Sequence, residues 1–242
     1  MLKRILDIMG AGAGLICFAP FLAVIAIAIK LASPGPVFFR QERVGLNGRI
    51  FRIYKFRSMR EDSHINGTSL TVGGDQRVTR LGAFLRRHKL DELPQLINVL
   101  TGGMSLVGPR PEVKEYVDLF PREYARVLTV RPGITHQGTL MFRNEEAILA
   151  DAPDPRARYM RFVMPLKLKI YQDHLEQPLT KELKIILATV FPTLWLKSYP
   201  AIQVEDSSVP SLPAYARQAA QLDAHLDSRI TSRMEKALEN MA

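Results

Sequence analysis

The sequence is poor in cysteine, and this scarcity gives the first constraint on the protein. Its one cysteine, Cys17, lies within an apolar run, so intrachain disulfides are excluded and a reducing compartment fits. The five histidines are scattered, and no set of Cys and His residues has the spacing of a zinc site. The sequence also lacks a glycine-rich dinucleotide motif and internal repeats, which argues against a dinucleotide-binding domain and a solenoid.

Acidic residues are also few. The chain has 24 Asp and Glu residues and 33 Lys and Arg residues, which gives a net charge of +9. Such a chain favours anionic partners, namely nucleic acid, acidic lipid or phosphorylated metabolites. Nucleic acid is the least favoured of these, because the aromatic residues accompany apolar runs rather than an exposed basic strand face. With 47% apolar residues, the 242-residue chain can form one packed domain with appendages.

An uncharged apolar run over residues 8–29 lies near the N-terminus. As a helix it would extend about 33 Å at about 1.5 Å per residue, which is enough to cross the hydrocarbon core of a bilayer. Pro20 in its middle predicts a kink. Cations precede and follow the run, among them Lys3 and Lys30, so charge does not assign its ends to opposite sides. A helix that bends at Pro20 and returns to the cytoplasmic face and an ordinary kinked span both fit.

Two strand-like segments, residues 37–39 and 50–54, flank the turn-forming residues 45–48 and predict a β-hairpin. Lys55 and Arg57 follow the second strand, where they either reach a phosphate or face solvent. A polar, glycine-bearing segment over residues 61–75 then predicts a loop.

The adjacent acidic residues Asp91 and Glu92 are the centre of the sequence. A basic cluster over residues 86–89 precedes them, and an apolar helical pattern over residues 94–100 follows, with Pro94 in its first turn. We therefore expect both carboxylates at a helix N-terminus, where free amides and the helix dipole attract anions. Taken alone, the pair fits either a reacting centre or an ordinary helix cap.

Arginines beside proline recur after this pair. Arg110 lies between Pro109 and Pro111, which fix the backbone and would aim its guanidinium, and Arg131 precedes Pro132 in a similar turn. Arg143 offers a further cation beside an amide. Each position fits an anion-binding site, although such sequences also occur in plain turns.

The C-terminal part of the sequence predicts two amphipathic helices and a tail. The first helix covers residues 159–175, and the second covers residues 181–196 with Trp195 near its end. The second helix would lie either in the membrane interface or against the core. Beyond residue 207 the composition shifts to Ala, Gln, Asp and Arg, which predicts a helical tail that either pairs with a second copy, as a homodimer, or stays solvated.

Five motifs in order carry a resemblance to a known family. They are KFRSM (residues 55–59), LDELPQ (90–95), NVL (98–100), MSLVGPRP (104–111) and RPGIT (131–135). Over about residues 2–196 the chain resembles the bacterial sugar transferases, the monotopic phosphoglycosyl transferases that use polyprenyl phosphate. Five ordered motifs are far more specific than any one of them.

The resemblance implies a reaction and a place. A sugar-1-phosphate would move from a UDP-sugar to undecaprenyl phosphate and release UMP, which initiates exopolysaccharide or other surface glycan synthesis at the cytoplasmic face of the bacterial inner membrane. Asp91 would attack the sugar-bearing phosphorus and form a covalent intermediate, and Glu92 would be associated with Mg²⁺ and proton handling. Lys55, Arg110 and Arg143 match basic positions around the phosphates or nucleotide. We add Arg57 and Arg131 as candidate substrate-binding residues.

The expected fold is α+β and mostly helical. It comprises an N-terminal re-entrant membrane helix broken at Pro20, a β-hairpin and interfacial amphipathic helices around a small cytosolic catalytic domain. The expected divisions are residues 1–35 for the membrane helix, 36–200 for the catalytic domain and 201–242 for the tail.

Two departures from the family pattern bear on these expectations. Ala19 replaces the serine that often precedes the helix-breaking proline, and Phe142 precedes Arg143 and Asn144 where many members have Gly-Arg-Asn. The second departure leaves the donor sugar open. A function from another class also stays open, in which the basic face of a non-catalytic membrane-surface scaffold binds acidic lipid or partner proteins.

Overall fold

A long apolar helix begins the chain and packs along the rest of the fold. The computed structural model describes residues 1–60, 75–150, 152–175, 177–192 and 198–202. Helix α1 spans Leu2–Ala32 with Pro20 inside it, and by length and composition it could cross a membrane. Many of its apolar side chains are exposed, including Ile16 at 80% and Leu31 at 83%. The structure therefore confirms the N-terminal apolar helix.

The described part of the chain is mostly helical, which confirms the coarse fold prediction. The elements after α1 are β1 (Phe38–Val44), β2 (Ile50–Phe56), α2 (Arg80–Arg87), α3 (Gln95–Leu100), β3 (Ser105–Val107), α4 (Lys114–Leu119), α5 (Pro121–Val127), β4 (Gly133–Thr135), α6 (Gln137–Met141), α7 (Glu145–Ala150), α8 (Pro155–Arg158), α9 (Met164–His174) and α10 (Leu179–Val190). The proposed domain divisions at residues 35/36 and 200/201 stay a prediction.

The predicted β-hairpin is confirmed. Strands β1 and β2 pair antiparallel, with Phe38 opposite Phe56 and Val44 opposite Ile50. Asn47 at the turn has a φ of 54°, a left-handed conformation that asparagine tolerates better than most residues. Strand β2 contacts α3, and Phe56 at its end belongs to the same buried cluster as Leu85 of α2.

A second sheet joins two distant motifs. Strands β3 and β4 are parallel, with Ser105 beside Gly133 and Val107 beside Thr135. A Cβ atom at Gly133 would lie 2.1 Å from the backbone nitrogen of Gly108, so these two segments of the backbone approach to a distance that only glycine allows. The two segments that carry Arg110 and Arg131 are consequently neighbours.

The inner side of α1 is part of the core of the protein. Ala11 packs with Ile53, Val99 and Met104, and Ile29 further along α1 belongs to a second buried cluster. A larger cluster fills the space between α4, α5 and α9. Helix α1 thus contributes to the packing of β2 and α3 as well as exposing apolar surface.

Polar contacts attach the N-terminal end of α1 to β3 and α3. The buried Asp7 carboxylate accepts hydrogen bonds from Ser105 Oγ at 2.8 Å and from the Leu106 N–H at 2.9 Å. Arg4 donates to the backbone oxygens of Leu100 and Met104. A buried carboxylate is stable here because hydrogen bonds replace its lost hydration.

The C-terminal end of α1 is held by Arg57. Its buried guanidinium donates to the backbone oxygens of Ser33 at 2.8 Å and Pro34 at 2.7 Å, and also to Ser33 Oγ. These contacts satisfy carbonyl groups that the end of a helix leaves unpaired. Both ends of α1 are therefore attached to the same folded unit.

Several predicted features fall partly or wholly outside the described residues. These are Trp195, the tail beyond Ile202, and the loop over residues 61–75, of which only Asp75 is described. Both alternatives for the tail, pairing with a second copy as a homodimer or solvation, therefore stay open. Helix α10 ends at Val190 rather than at residue 196. It buries Ile185 while Leu183 is 58% exposed, so one helix both faces the core and presents apolar surface.

We predict that Gly82→Ala disrupts the junction of α2 with the end of β2. A Cβ atom there would lie 1.9 Å from the Ser58 backbone oxygen, so the backbone must move, at a cost of about 3 kcal/mol of unfolding free energy. Gly12→Ala is the matched control, because a Cβ atom at Gly12 meets nothing within 4 Å. Thermal unfolding in detergent micelles should show a lower Tm for the first variant only. Equal Tm values would contradict the close contact.

Candidate active site

The two acidic residues lie in a turn of their own between α2 and α3. After α2 ends at Arg87, Lys89 adopts a left-handed backbone conformation and a 3₁₀ turn covers Leu90–Glu92. Helix α3 begins at Gln95, and its N-cap position is Pro94, so neither carboxylate caps this helix. Both acidic residues instead lie in the first turn of the 3₁₀ helix, from which Leu93 and Pro94 continue with helical dihedral angles into α3, so the expected position at a helix N-terminus holds for the 3₁₀ helix and not for α3 itself. Asp91 does not cap α3 and Glu92 is buried, so the plain capping interpretation is wrong.

Helix α3 also fixes the strand beside this turn. The side-chain amide of Asn98 donates to the Arg52 backbone oxygen at 2.8 Å, and its Oδ1 accepts from the Tyr54 N–H at 2.9 Å. An amide that pairs with both backbone groups acts like one more residue of a β-ladder. Lys55, the next residue of β2, is thereby positioned against the acidic turn.

Glu92 binds two cations. Arg110 approaches it in a forked geometry, with Nη2 at 2.6 Å from Oε1 and Nη1 at 3.1 Å from Oε2, while Lys55 Nζ lies 2.8 Å from Oε1. The Glu92 side chain is only 10% exposed. Paired hydrogen bonds of this kind are among the stronger charge-assisted contacts in proteins. The structure thus brings Lys55, Glu92 and Arg110 together, while their roles in catalysis and substrate binding stay a prediction.

These contacts set the ionisation of the group. Burial alone would raise the pKa of the Glu92 carboxyl, but the charges of Arg110 and Lys55 outweigh this effect and hold the pKa well below its usual range. The negative charge of Glu92 in turn raises the pKa of Arg110 well above its ordinary value. Glu92 is therefore a fixed anion that keeps two cations in place.

Asp91 differs from its neighbour. It is 7% exposed, and its buried Oδ1 has no hydrogen-bond partner among the described residues. Burial raises the pKa of Asp91, and the charge of Glu92 raises it further, while Lys55 and Lys89 oppose the shift. A buried carboxylate oxygen without a partner costs stability, which makes Asp91 a candidate functional group. The arrangement suits attack on a phosphate ester, since the nearby cations can offset the charge of that ester.

The structure does not bring the other predicted cations to Glu92. Arg57, Arg131 and Arg143 each donate to backbone carbonyl groups. Their carbonyl partners are Ile29, Ser33 and Pro34 for Arg57, Gly102 for Arg131, and Leu140 and Tyr199 for Arg143. Substrate binding by these three residues stays a prediction, and in this structure each stabilises a turn or a helix end.

Sequence reasoning missed a buried network behind Arg110. Arg43 donates to the Pro111 backbone oxygen at 3.2 Å and lies 3.4 Å from Glu112 Oε2, and Glu112 Oε1 accepts from the Tyr159 hydroxyl at 3.3 Å. The network holds the Pro-Arg-Pro turn from its inner side. The signal in the sequence is weak, because Glu112 directly follows the Pro-Arg-Pro motif but its partners Arg43 and Tyr159 are distant from it in sequence.

The acidic pair is compatible with magnesium. The described residues contain no group of three or more His, Cys, Asp or Glu side chains arranged to bind a metal. Mg²⁺ commonly takes only one or two carboxylates and completes its shell with water and substrate phosphates. Asp91 Oδ1 lacks a partner, and Glu92 Oε2 accepts one hydrogen bond, from Arg110, and keeps a second lone pair, so the residues present fit an ion that binds together with phosphate.

Comparison with known proteins identifies the family of this chain. The sequence model of the family described as "Bacterial sugar transferase" matches residues 1–195. The chain therefore belongs to the bacterial sugar transferase family. This result confirms the resemblance that the five motifs indicated.

Three curated relatives illustrate the family. The chain is 46% identical to a UDP-N-acetylgalactosamine-undecaprenyl-phosphate N-acetylgalactosaminephosphotransferase of Aeromonas hydrophila, over 65% of this chain and 37% of the relative. It is 48% identical to the exopolysaccharide production protein PSS of Rhizobium leguminosarum bv. phaseoli, over 56% of this chain and 71% of the relative. It is 47% identical to a UDP-glucose:undecaprenyl-phosphate glucose-1-phosphate transferase of Escherichia coli K12, over 56% of this chain and 30% of the relative. The alignments thus cover about a third of two relatives and most of the other.

We predict that Arg110→Gln makes stability depend differently on pH. The depressed pKa of Glu92 contributes stability that is fully present above its ordinary value of 4.5 and is lost as the pH falls through the lower, folded-state pKa. Without Arg110 that pKa rises and the contribution disappears. The variant should lose about 3 kcal/mol near neutral pH, and the difference from the wild type should shrink below about pH 4.5.

Chemical unfolding followed by circular dichroism over this pH range measures the effect. Lys114→Gln is the control, because its pair with Asp118 is exposed and contributes little. A difference between Arg110→Gln and the wild type that is the same at every pH would contradict the assigned ionisation of Glu92.

Proposed function

We propose that the protein transfers a sugar-1-phosphate from a UDP-sugar to undecaprenyl phosphate and releases UMP, as the initiating step of surface glycan synthesis. The observation that carries the proposal is the unpartnered, buried oxygen of Asp91 beside the Lys55–Glu92–Arg110 group. Two relatives bear names that describe this reaction with different donors, N-acetylgalactosamine in one and glucose in the other. The donor sugar of this chain therefore has to be found by experiment.

The proposed chemistry has two displacement steps at one phosphorus atom. In the first, Asp91 Oδ1 forms a bond to the sugar-bearing phosphorus, and the bond from that phosphorus to the bridging oxygen breaks, so that UMP leaves with the bridging oxygen. In the second, a phosphate oxygen of the lipid attacks the same phosphorus and the aspartyl bond breaks, which restores the carboxylate and forms the lipid diphosphate sugar. Covalent relay divides one transfer between two anions into two simpler steps.

Glu92, Lys55 and Arg110 would act as one group in both steps. The charge of Glu92 raises the pKa of Arg110, and at Lys55 it opposes the lowering of the pKa by burial, while its ion pairs hold both cations against the turn that carries Asp91. Their donors can then bind phosphate oxygens on which negative charge develops. Mg²⁺, held by Glu92 together with substrate phosphates, would supply further charge neutralisation.

We further propose that α1 enters the membrane from the cytoplasmic face and returns to it at the Pro20 bend. Both ends of α1 contact one folded unit, through Asp7 and Arg4 at one end and Arg57 at the other. The exposed apolar side chains between these ends would lie in lipid, and exposed Leu183 of α10 would add to the interface. The lipid phosphate and the soluble nucleotide sugar could then meet at Asp91.

We predict that Asp91→Asn reduces transfer by at least about a thousandfold, because the amide cannot serve as the nucleophile. The measurement is UMP release from UDP-N-acetylgalactosamine and UDP-glucose with undecaprenyl phosphate and Mg²⁺ present. Asp118→Asn, at an exposed residue of α4, is the control and should retain full activity. Membrane binding should be the same for both variants.

Two results would count against this proposal. Full transfer by Asp91→Asn would contradict the covalent relay. An inactive wild type across a panel of UDP-sugars, with normal binding to vesicles of acidic lipid, would favour the scaffold function instead.

We predict that cysteines introduced at Leu2 and at Ser33, in a Cys17→Ala background, react with a membrane-impermeant maleimide from the same side of inner-membrane vesicles. The contacts of both α1 ends with one folded unit are the physical reason. Sealed vesicles of each orientation provide the control for sidedness. Labelling of the two positions from opposite sides would show that α1 is an ordinary span.

A further inference from the structure

The cations around Asp91 differ in whether another group already binds them. Lys55 Nζ is bound by Glu92, and Arg86 Nη2 is bound by Glu146 Oε1 at 2.5 Å. Lys89 is exposed, and its ammonium group makes no hydrogen bond or ion pair within the described chain. Lys55, Lys89 and Arg86 are the cations with the strongest effect on the pKa of Asp91. Of these three, only Lys89 has a charged group without a hydrogen bond or ion pair in the described part of the chain.

The backbone at Lys89 is also unusual. Its φ of 57° and ψ of 20° are left-handed, and among the described non-glycine residues only Asn47 shares a positive φ. A left-handed residue commonly ends a helix, but glycine and asparagine adopt this conformation with less strain than lysine does. The Lys89 N–H donates to Arg86 O at 3.1 Å, and its carbonyl accepts from the Glu92 N–H at 3.3 Å. The strained residue is therefore built into the turn that carries Asp91, and such strain commonly occurs at functional sites.

The balance of charge gives this lysine a role. The positive charges of Lys55 and Arg110 are both paired with the carboxylate of Glu92, and that of Arg86 is paired with Glu146. A phosphate group that approaches Asp91 brings additional negative charge to a buried site. A cation without a protein partner can offset this charge at no cost of breaking an existing ion pair.

We propose that Lys89 is a substrate-binding residue whose ammonium group binds a phosphate oxygen of the substrate next to Asp91. This proposal rests on the proposed function. The phosphate belongs either to the diphosphate of the donor or to the lipid carrier, since both present the same anionic oxygens. The left-handed turn fixes the lysine backbone two residues from the nucleophile.

Substitutions at Lys89 can separate its charge from its backbone. Lys89→Asn and Lys89→Gly remove the charge but suit the left-handed conformation, so both should have a Tm at or above that of the wild type. Both should raise the KM of one substrate by about tenfold, the loss expected for a hydrogen bond to a charged group. Lys89→Arg keeps the charge and should keep KM near the wild-type value. Arg87→Gln removes an exposed charge two residues earlier and should leave KM unchanged.

The pattern of KM values identifies the phosphate. A rise for the UDP-sugar assigns Lys89 to the donor, and a rise for undecaprenyl phosphate assigns it to the lipid carrier. Unchanged KM values in Lys89→Asn and Lys89→Gly, or an equal rise in Arg87→Gln, would overturn the proposal. If the wild type transfers no sugar, the proposed function fails. Calorimetric titration of the wild type and of Lys89→Asn with UDP and with undecaprenyl phosphate in micelles then tests Lys89 directly. We expect Lys89→Asn to bind one of the two ligands more weakly than the wild type does. Binding of both ligands as tightly as in the wild type would overturn the proposal.

Discussion

The ion pairs of Glu92 with Arg110 and Lys55 are the interaction on which the rest of the structure depends. They join three segments that are far apart in sequence: the end of β2, the acidic turn and the Pro-Arg-Pro turn. A buried carboxylate is unfavourable alone, and a buried cation is too, so each of the three groups is stable only with the others present. This mutual requirement leaves Asp91 beside two fixed cations while its own oxygen stays unpartnered.

The remainder of the fold holds these three segments in place. Asn98 of α3 fixes β2, the parallel pairing of β3 with β4 fixes the chain before Arg110, and α1 packs across both regions. Because α1 also exposes apolar surface, the same element that completes the core can place the site at a lipid boundary. Stability of the core and access to a membrane substrate are therefore properties of one helix.

Local patterns predicted those parts of the structure that depend on neighbouring residues. The apolar run gave α1, the turn residues gave the β-hairpin, and the ordered motifs grouped Lys55 and Arg110 with the acidic pair. The β3–β4 pairing was missed because each strand has only three residues and the partners are distant in sequence. The 3₁₀ turn was missed because Pro94 fits the first turn of a longer helix equally well. The carbonyl partners of Arg143 were missed because helix ends and turns of the tertiary fold create them.

The central claim is that the Asp91 carboxylate itself carries the sugar phosphate while Glu92 stays bound to its cations. Its most direct test is to incubate the protein with a UDP-sugar labelled with ³²P in the sugar-bearing phosphate, without lipid acceptor, and to map the label by peptide mass spectrometry. We expect label on Asp91 that is released when undecaprenyl phosphate is added. Label on another residue, or turnover without any labelled protein, would contradict it.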